Sequence, residues 1–91
     1  MNREKRKDLA SVIGMLSEAY DKLVEAQSCI DEVKDMEEEA YDNLPEGVQY
    51  SERGEAMQEN VDALDDVSSC IEEIGESIQE QIDNIQEVID K

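Results

Sequence analysis

The stretch that decides the fold is residues 9–44, which read LASVIGMLSEAYDKLVEAQSCIDEVKDMEEEAYDNL. Its apolar residues recur every seven positions, the period of a helix that packs along one stripe. With Leu9 at heptad position a, the a row contains Leu9, Leu16, Leu23, Ile30, Glu37 and Leu44. The d row contains Val12, Ala19, Ala26, Val33 and Ala40. Since only Glu37 interrupts these rows, the pattern predicts one helix over about residues 8–44.

A turn and a second helix follow this stretch. Residues 43–47 read NLPEG, and a proline followed by a glycine predicts a chain reversal over about residues 45–50. Ser51 is a candidate N-cap for a second helix over about residues 51–90. The a row of that helix contains Met57, Leu64, Ile71, Ile78 and Ile85. Its d row contains Asn60, Val67, Ile74, Gln81 and Val88.

The two helices are expected to form an all-α, antiparallel, two-helix coiled-coil hairpin. Pairing each a residue with a d residue whose number adds to 97 sets Leu9 against Val88 and repeatedly places a large residue against a small one. This register predicts an apex between residues 48 and 49. It also predicts two polar layers, Leu16 with Gln81 and Glu37 with Asn60.

A third apolar row, at heptad position e, is predicted to remain uncovered in a single hairpin. Its members are Ile13, Tyr20, Tyr41, Val61, Ile82 and Ile89. We expect this row to be an oligomer interface through which two hairpins form a four-helix bundle, because small scaffolds often gain stability by association. The alternative is that the row docks a different protein.

Neither a cofactor nor a catalytic group is expected. The chain has no His and no pair of closely spaced cysteines for zinc, and it lacks a recognisable nucleophile with its base. Cys29 and Cys70 both fall at position g, so they are candidate neighbours that are either disulfide-bonded or present as small buried thiols. The chain is therefore predicted to be a non-enzymatic binding protein.

The charge is strongly one-sided, with 26 acidic and 8 basic residues and a net charge of −18. Residues 1–7 form a basic N-terminal extension, whereas Arg53 is the only cation over residues 35–90. Such a surface repels nucleic acid and anionic membranes and attracts a basic protein. The residues predicted to bind a basic partner protein are Glu37, Glu38, Glu39, Asp62, Asp65, Asp66, Glu72, Glu73, Glu76 and Glu80. The chain has no apolar stretch typical of a signal peptide or membrane span, so a cytoplasmic location is expected.

The turn region carries a resemblance. Residues 41–47, YDNLPEG, with Gln49 and residues 51–57, SERGEAM, resemble a signature of small acidic helical-hairpin proteins from bacteriophages and mobile elements of Gram-positive bacteria. The resemblance covers about 17 residues and implies a phage or prophage origin. Small acidic phage proteins often inhibit host defence nucleases, including CRISPR effectors, so it also implies an anti-defence role.

Three functions are compatible with these features. The leading hypothesis is an inhibitor that occupies the basic nucleic-acid-binding surface of a host protein by DNA mimicry. The second is an assembly adaptor that binds through the apolar e row. A cyclic-nucleotide sponge ranks below both because few cationic or aromatic groups are present to hold phosphate. Those groups are Tyr20, Lys22, Lys34, Tyr41, Tyr50 and Arg53.

Overall fold

A computed structural model describes all residues from 1 to 91 and contains three helices. They are α1 (Arg3–Asp42), α2 (Glu46–Gln49) and α3 (Glu52–Asp90). The long helices α1 and α3 pack against each other in opposite directions, and the Cα atoms extend over 69 × 14 × 13 Å. The predicted all-α helical hairpin is confirmed, and its shape is a thin rod.

Helix α1 begins earlier than the periodic pattern predicted. Asn2 is its N-cap, and the Asn2 side-chain oxygen accepts a hydrogen bond of 2.8 Å from the Lys5 backbone N–H. This bond satisfies one of the free N–H groups at the helix end. Residues 3–7 are therefore the first turns of α1, and the prediction of a separate basic extension is wrong.

The turn contains the short helix α2 where a simple loop was predicted. The Val48 and Gln49 backbone N–H groups donate to the Pro45 carbonyl oxygen at 2.8 and 3.1 Å. The Gln49 side-chain amide donates to the Tyr41 carbonyl oxygen at 3.2 Å, which ties the turn to the end of α1. Ser51 is at the N-cap position of α3 as predicted, but its hydroxyl donates back to the Val48 carbonyl and does not cap α3.

The predicted alignment of the two helices along the rod is confirmed. The Asn60 side-chain amide donates to the Glu37 carboxylate at 3.2 Å, and the Arg6 guanidinium reaches the Lys91 carbonyl oxygen at 3.5 Å. The residue numbers in both pairs add to 97, as the sequence predicted, and the other polar pairs across the seam add to 95 or 99, on either side of it. The second predicted polar layer, between Leu16 and Gln81, is wrong because Gln81 is exposed.

The predicted rotation of the helices about their own axes is wrong. The seam, meaning the interface between α1 and α3, is formed by the a and e rows and not by the a and d rows. The chain has four buried residues, all in the e row of α3, namely Gly54, Val61, Ser68 and Gly75. The d rows of both helices are exposed along the rod. The predicted a-to-d pairs, such as Leu9 with Val88, are therefore not the packing layers.

The fit between large and small side chains explains this rotation. A Cβ atom on Gly75 would lie 3.3 Å from a ring carbon of Tyr20, so the glycine lets the aromatic ring cross the seam. Turning the d row inward would expose Tyr20 and Ile82 and would bury their d-row neighbours, Ala19 and Gln81, in their place. Burying the larger side chains removes more apolar surface from water and is favoured.

The rotation also corrects the predicted oligomer interface. The six e-row residues assigned to it are buried or half-buried within the hairpin. They are Ile13, Tyr20, Tyr41, Val61, Ile82 and Ile89. A single hairpin therefore covers this row itself, and the exposed apolar surface lies elsewhere.

Candidate functional site

The carboxylates predicted to bind a partner are displayed on the rod surface, with one exception. Nine of them are exposed, and they occupy heptad positions b, c and f of the two long helices. These nine are Glu38, Glu39, Asp62, Asp65, Asp66, Glu72, Glu73, Glu76 and Glu80. We call the b, c and f rows of α1 and α3 the acidic surface, since they also carry most of the remaining carboxylates.

Glu37 is the exception. Its side chain is half-buried at the edge of the seam, where its carboxylate accepts the hydrogen bond from Asn60. A carboxylate held in this way helps to set the alignment of α1 against α3. Its carboxylate therefore takes part in the packing of α1 against α3, and its place on the partner-binding face stays a prediction.

One ion pair joins the helices on the acidic surface. The Lys34 ammonium lies 3.1 Å from the Asp65 carboxylate, and the Lys34 side chain retains 22% of its accessible surface. The hydrogen bond from Lys34 to Asp65 raises the pKa of Lys34, with a further contribution from the charges of Asp65, Asp31 and Asp35. Lys34 is an e-row residue, so this cation neutralises part of the acidic surface from within the seam.

A small polar cluster lies at the middle of the seam. The Ser68 hydroxyl donates to the Asp31 carboxylate at 2.7 Å and accepts from the Gln27 side-chain amide at 3.4 Å. Ser68 is only 7% exposed, so these bonds satisfy a hydroxyl that burial would otherwise penalise. Residue 68 of α3 therefore lies level with residues 27–31 of α1.

A groove of about 410 Å³ runs beside Gly75 on the acidic surface. Its floor is formed by the Tyr20 ring, Leu23 and Ile71, and Gln27 and Gln79 lie along it. Its charged lining is entirely acidic and comprises Glu72, Glu76, Glu80 and Asp83. An aromatic floor with a carboxylate rim is chemically suited to the alkyl chain and cationic head of a Lys or Arg side chain.

The opposite side of the rod is almost free of charge. We call the d and g rows of α1 and α3, over residues 12–40 and 56–88, the apolar flank. In α1 it comprises Val12, Met15, Ala19, Lys22, Ala26, Cys29, Val33, Met36 and Ala40. In α3 it comprises Ala56, Asn60, Ala63, Val67, Cys70, Ile74, Ser77, Gln81, Asn84 and Val88. All of these residues are exposed, none is a carboxylate, and Lys22 is the only charged group.

The two cysteines belong to the apolar flank. Cys29 and Cys70 are both exposed free thiols, so the prediction of buried thiols is wrong and they form no disulfide in this structure. Both residues are on the same side of the rod, as predicted. They also lie at nearly the same level along the rod. Cys70 is two residues from Ser68, and Cys29 lies between Gln27 and Asp31, the two residues that contact Ser68.

Sequence reasoning missed the seam residues of α3 although a signal was present. Gly54, Ser68 and Gly75 are separated by multiples of seven residues, in the row of Val61. Small residues repeated at that period inside a long helix indicate a line of close approach to a neighbouring element. Applied to α3, this rule would have identified the e row as buried.

Comparison with known proteins adds no relative. No protein-family model, no curated protein and no solved structure matches the chain. Neither long helix contains a segment that is apolar enough to cross a membrane. No three His, Cys, Asp or Glu side chains are grouped so that they could hold a metal ion.

Proposed function

We propose that this protein is a non-enzymatic acidic binding protein that occupies the basic nucleic-acid-binding surface of a host protein. The observation that carries the proposal is the acidic surface, where carboxylates of two packed helices are exposed along a thin rod with few cations among them. Because these carboxylates are fixed on helices, they form a linear array of negative charge. In this proposal the protein acts as a DNA mimic of phage type in the cytoplasm of the host.

The linear charge density supports mimicry when two copies act together. A net charge of −18 over 69 Å is about one charge per 4 Å, whereas duplex DNA carries about one per 1.7 Å. Two rods packed side by side along their length would carry about one net charge per 2 Å. The proposal therefore includes a homodimer, in which the charge density approaches that of the duplex.

The groove beside Gly75 suggests how specificity would be added to the charge. Lys and Arg side chains that contact DNA phosphates also have long alkyl chains. One such side chain can lie along Tyr20 with its cationic head between Glu72 and Glu76. The partner in this proposal is a basic host protein, such as a nuclease, that uses exposed Lys and Arg residues to hold nucleic acid.

The test is a salt-dependent capture followed by a competition assay. The immobilised protein is exposed at low ionic strength to a lysate of a Gram-positive bacterium, and a captured nucleic-acid-binding protein is then assayed for binding to labelled duplex DNA. We expect the acidic protein to displace the DNA and to lose affinity as salt is raised, because screening weakens contacts between opposite charges. Recovery of no nucleic-acid-binding protein at low ionic strength would overturn the proposal.

A matched pair of variants separates the cation-poor part of the acidic surface, in α3, from net charge alone. The first variant neutralises Asp62, Asp66, Glu73 and Glu76 to the corresponding amides, and all four are exposed without hydrogen bonds to other side chains. The control neutralises Glu4, Asp8, Glu18 and Asp21, in the first half of α1, where the cations Arg3, Lys5, Arg6, Lys7 and Lys22 already offset the carboxylates. Competition should weaken at least about tenfold in the first variant and much less in the control. Equal losses in both would show that the placement of the charges does not matter.

The apolar flank favours a second candidate function, an assembly adaptor that binds a different protein by apolar contacts. An exposed apolar strip of this length commonly marks an interface. The two functions differ in their response to salt, since apolar contacts persist as ionic strength rises whereas charge contacts weaken. Partner binding that is unchanged by the four acidic-surface substitutions and lost on Val33→Glu would favour the adaptor.

A further inference from the structure

We infer that the apolar flank is the surface on which a second copy of this chain packs. This inference rests on the homodimer included in the proposed function and assigns its interface. It differs from the sequence prediction because the e-row residues expected to meet a second copy are used up in the seam. The residues at the centre of the inferred interface are Val33 and Ile74, which retain 54% and 51% of their accessible surface in the single hairpin.

The distribution of charge singles out this flank for self-association. Two rods with a net charge of −18 each repel one another wherever their carboxylates face. The d and g rows over residues 12–40 and 56–88 hold no carboxylate, and Glu37 at their edge is hydrogen-bonded to Asn60, so two copies can approach there with the fewest like charges in contact. The remaining acidic groups then lie on the outside of the pair or near its ends.

The same charges argue against a foreign basic protein on this flank. A basic partner gains most from carboxylates, and these are on the acidic surface. The one charged group within the flank is Lys22, which is paired with Glu25 at 3.2 Å and offers a basic partner no attraction. The flank therefore suits an uncharged surface, and a second copy of the chain supplies one.

The side chains of the flank are also complementary to one another. The d row of α1 contains three alanines along with Val12 and Val33, whereas the d row of α3 contains Val67, Ile74 and Val88 along with two amides. When α1 of one copy lies against α3 of the other, the alanines leave room for the larger side chains of α3 at both symmetric contacts. Each helix then buries its a, e and d rows, which is the wide stripe expected in a four-helix bundle.

The test measures molar mass by light scattering over micromolar to millimolar protein, for the full chain and for single variants. We expect a mass near twice 10.3 kDa at the higher concentrations, shifting to 10.3 kDa in Val33→Glu and Ile74→Glu with helical content retained. A carboxylate at either position would place a buried, unpaired charge in the interface. A wild-type chain that remains at 10.3 kDa throughout would overturn the inference.

Val24→Glu is the matched control. Val24 is also an exposed valine of α1, at 47% of its accessible surface, but it belongs to the acidic surface beside the groove. The same change in size and charge should leave the dimer intact there. Loss of the dimer in Val24→Glu together with its survival in Val33→Glu would place the interface on the acidic surface and refute the inference.

Thiol reactivity gives a second readout that does not depend on a variant. Cys29 and Cys70 are exposed in the hairpin and are part of the flank. Their rate of reaction with a maleimide should fall several-fold as concentration rises through the dimer transition, and unchanged rates through that transition would contradict the inferred interface.

Salt separates this inference from the proposed function, because screening strengthens the acidic dimer but weakens binding to a basic protein. Failure of the capture assay therefore leaves the dimer result standing, whereas failure of the dimer would remove the homodimer, and its doubled charge density, from the proposed function.

Discussion

At the scale of single residues, Gly54 is the position least able to accept a side chain. A Cβ atom there would overlap the Gln49 carbonyl oxygen and would lie 2.6 Å from its carbon, and both are backbone atoms. To make room for this Cβ atom, α2 would have to move away from the first turn of α3. Gly54 is part of the signature over residues 51–57, and this close approach gives a structural reason for the glycine.

We expect Gly54→Ala to lower the free energy of unfolding by about 1–3 kcal/mol, as overpacking of a tight contact commonly does. The measurement is urea unfolding followed by circular dichroism. The loss of stability should arise at the turn of the folded hairpin. The m value, which is the slope of the free energy of unfolding against urea concentration, should therefore remain close to that of the wild type.

Gly14→Ala is the control for this prediction. A Cβ atom on Gly14 meets nothing within 4 Å, and Gly14 is exposed in α1. The substitution should raise the free energy of unfolding by about 0.5–1 kcal/mol, since alanine is the better helix former. A similar gain for Gly54→Ala would show that the turn does not press against α3.

At the scale of the helices, the seam and the apolar flank should respond differently to the same substitution. Ile82 is half-buried in the seam, whereas Ile74 is exposed on the flank. In dilute solution, where the hairpin is alone, Ile82→Ser should lower the free energy of unfolding by about 2 kcal/mol or more. Ile74→Ser should lower it by less than about 1 kcal/mol under the same conditions.

Thermal unfolding of the two serine variants distinguishes the observed rotation of the helices from the predicted one. If the a and d rows formed the seam, Ile74→Ser would be the more damaging change. Tyr20→Ser provides a second seam probe, because the ring lies against Gly75. A loss of partner binding in Tyr20 or Ile82 variants would therefore report on folding and not on a docking surface.

At the scale of the whole molecule, charge repulsion sets the stability. The net charge of −18 is carried by a rod whose Cα cross-section is 14 × 13 Å, so the carboxylates cannot separate widely. Raising the salt concentration should increase the free energy of unfolding by about 1 kcal/mol, which corresponds to about 4–8 °C in Tm for a domain of this size. The Lys34–Asp65 ion pair weakens as salt is raised and so opposes this trend, but it is a single pair whose Asp65 side is exposed, and it contributes little.

Thermal unfolding in increasing sodium chloride, at fixed and low protein concentration, checks the expected gain. Fixing the concentration keeps self-association from contributing to Tm. The variant with four neutralised carboxylates on the acidic surface should start with a higher Tm and gain less from salt. A fall in Tm with salt would contradict a stability limited by repulsion.

The sequence by itself determined a large part of this molecule. Its seven-residue period determined two long helices, and the segment NLPEG determined the reversal between them. Matching of the two patterns then determined their alignment, which the Glu37–Asn60 bond confirms. The exposed carboxylates also followed from sequence, because charged residues outside the apolar rows have no interior to enter.

Only the tertiary structure decided which side of the a row turns inward. The d and e rows flank the a row at spacings of three and four residues, so a single helix offers two equivalent seams. The choice depends on the fit across the interface, where Tyr20 meets Gly75 and α3 presents Val61 and Ser68 to α1. That fit is a property of two helices together. Because of this fit, the e row is covered in the seam, and the exposed apolar surface is the flank that carries Val33 and Ile74.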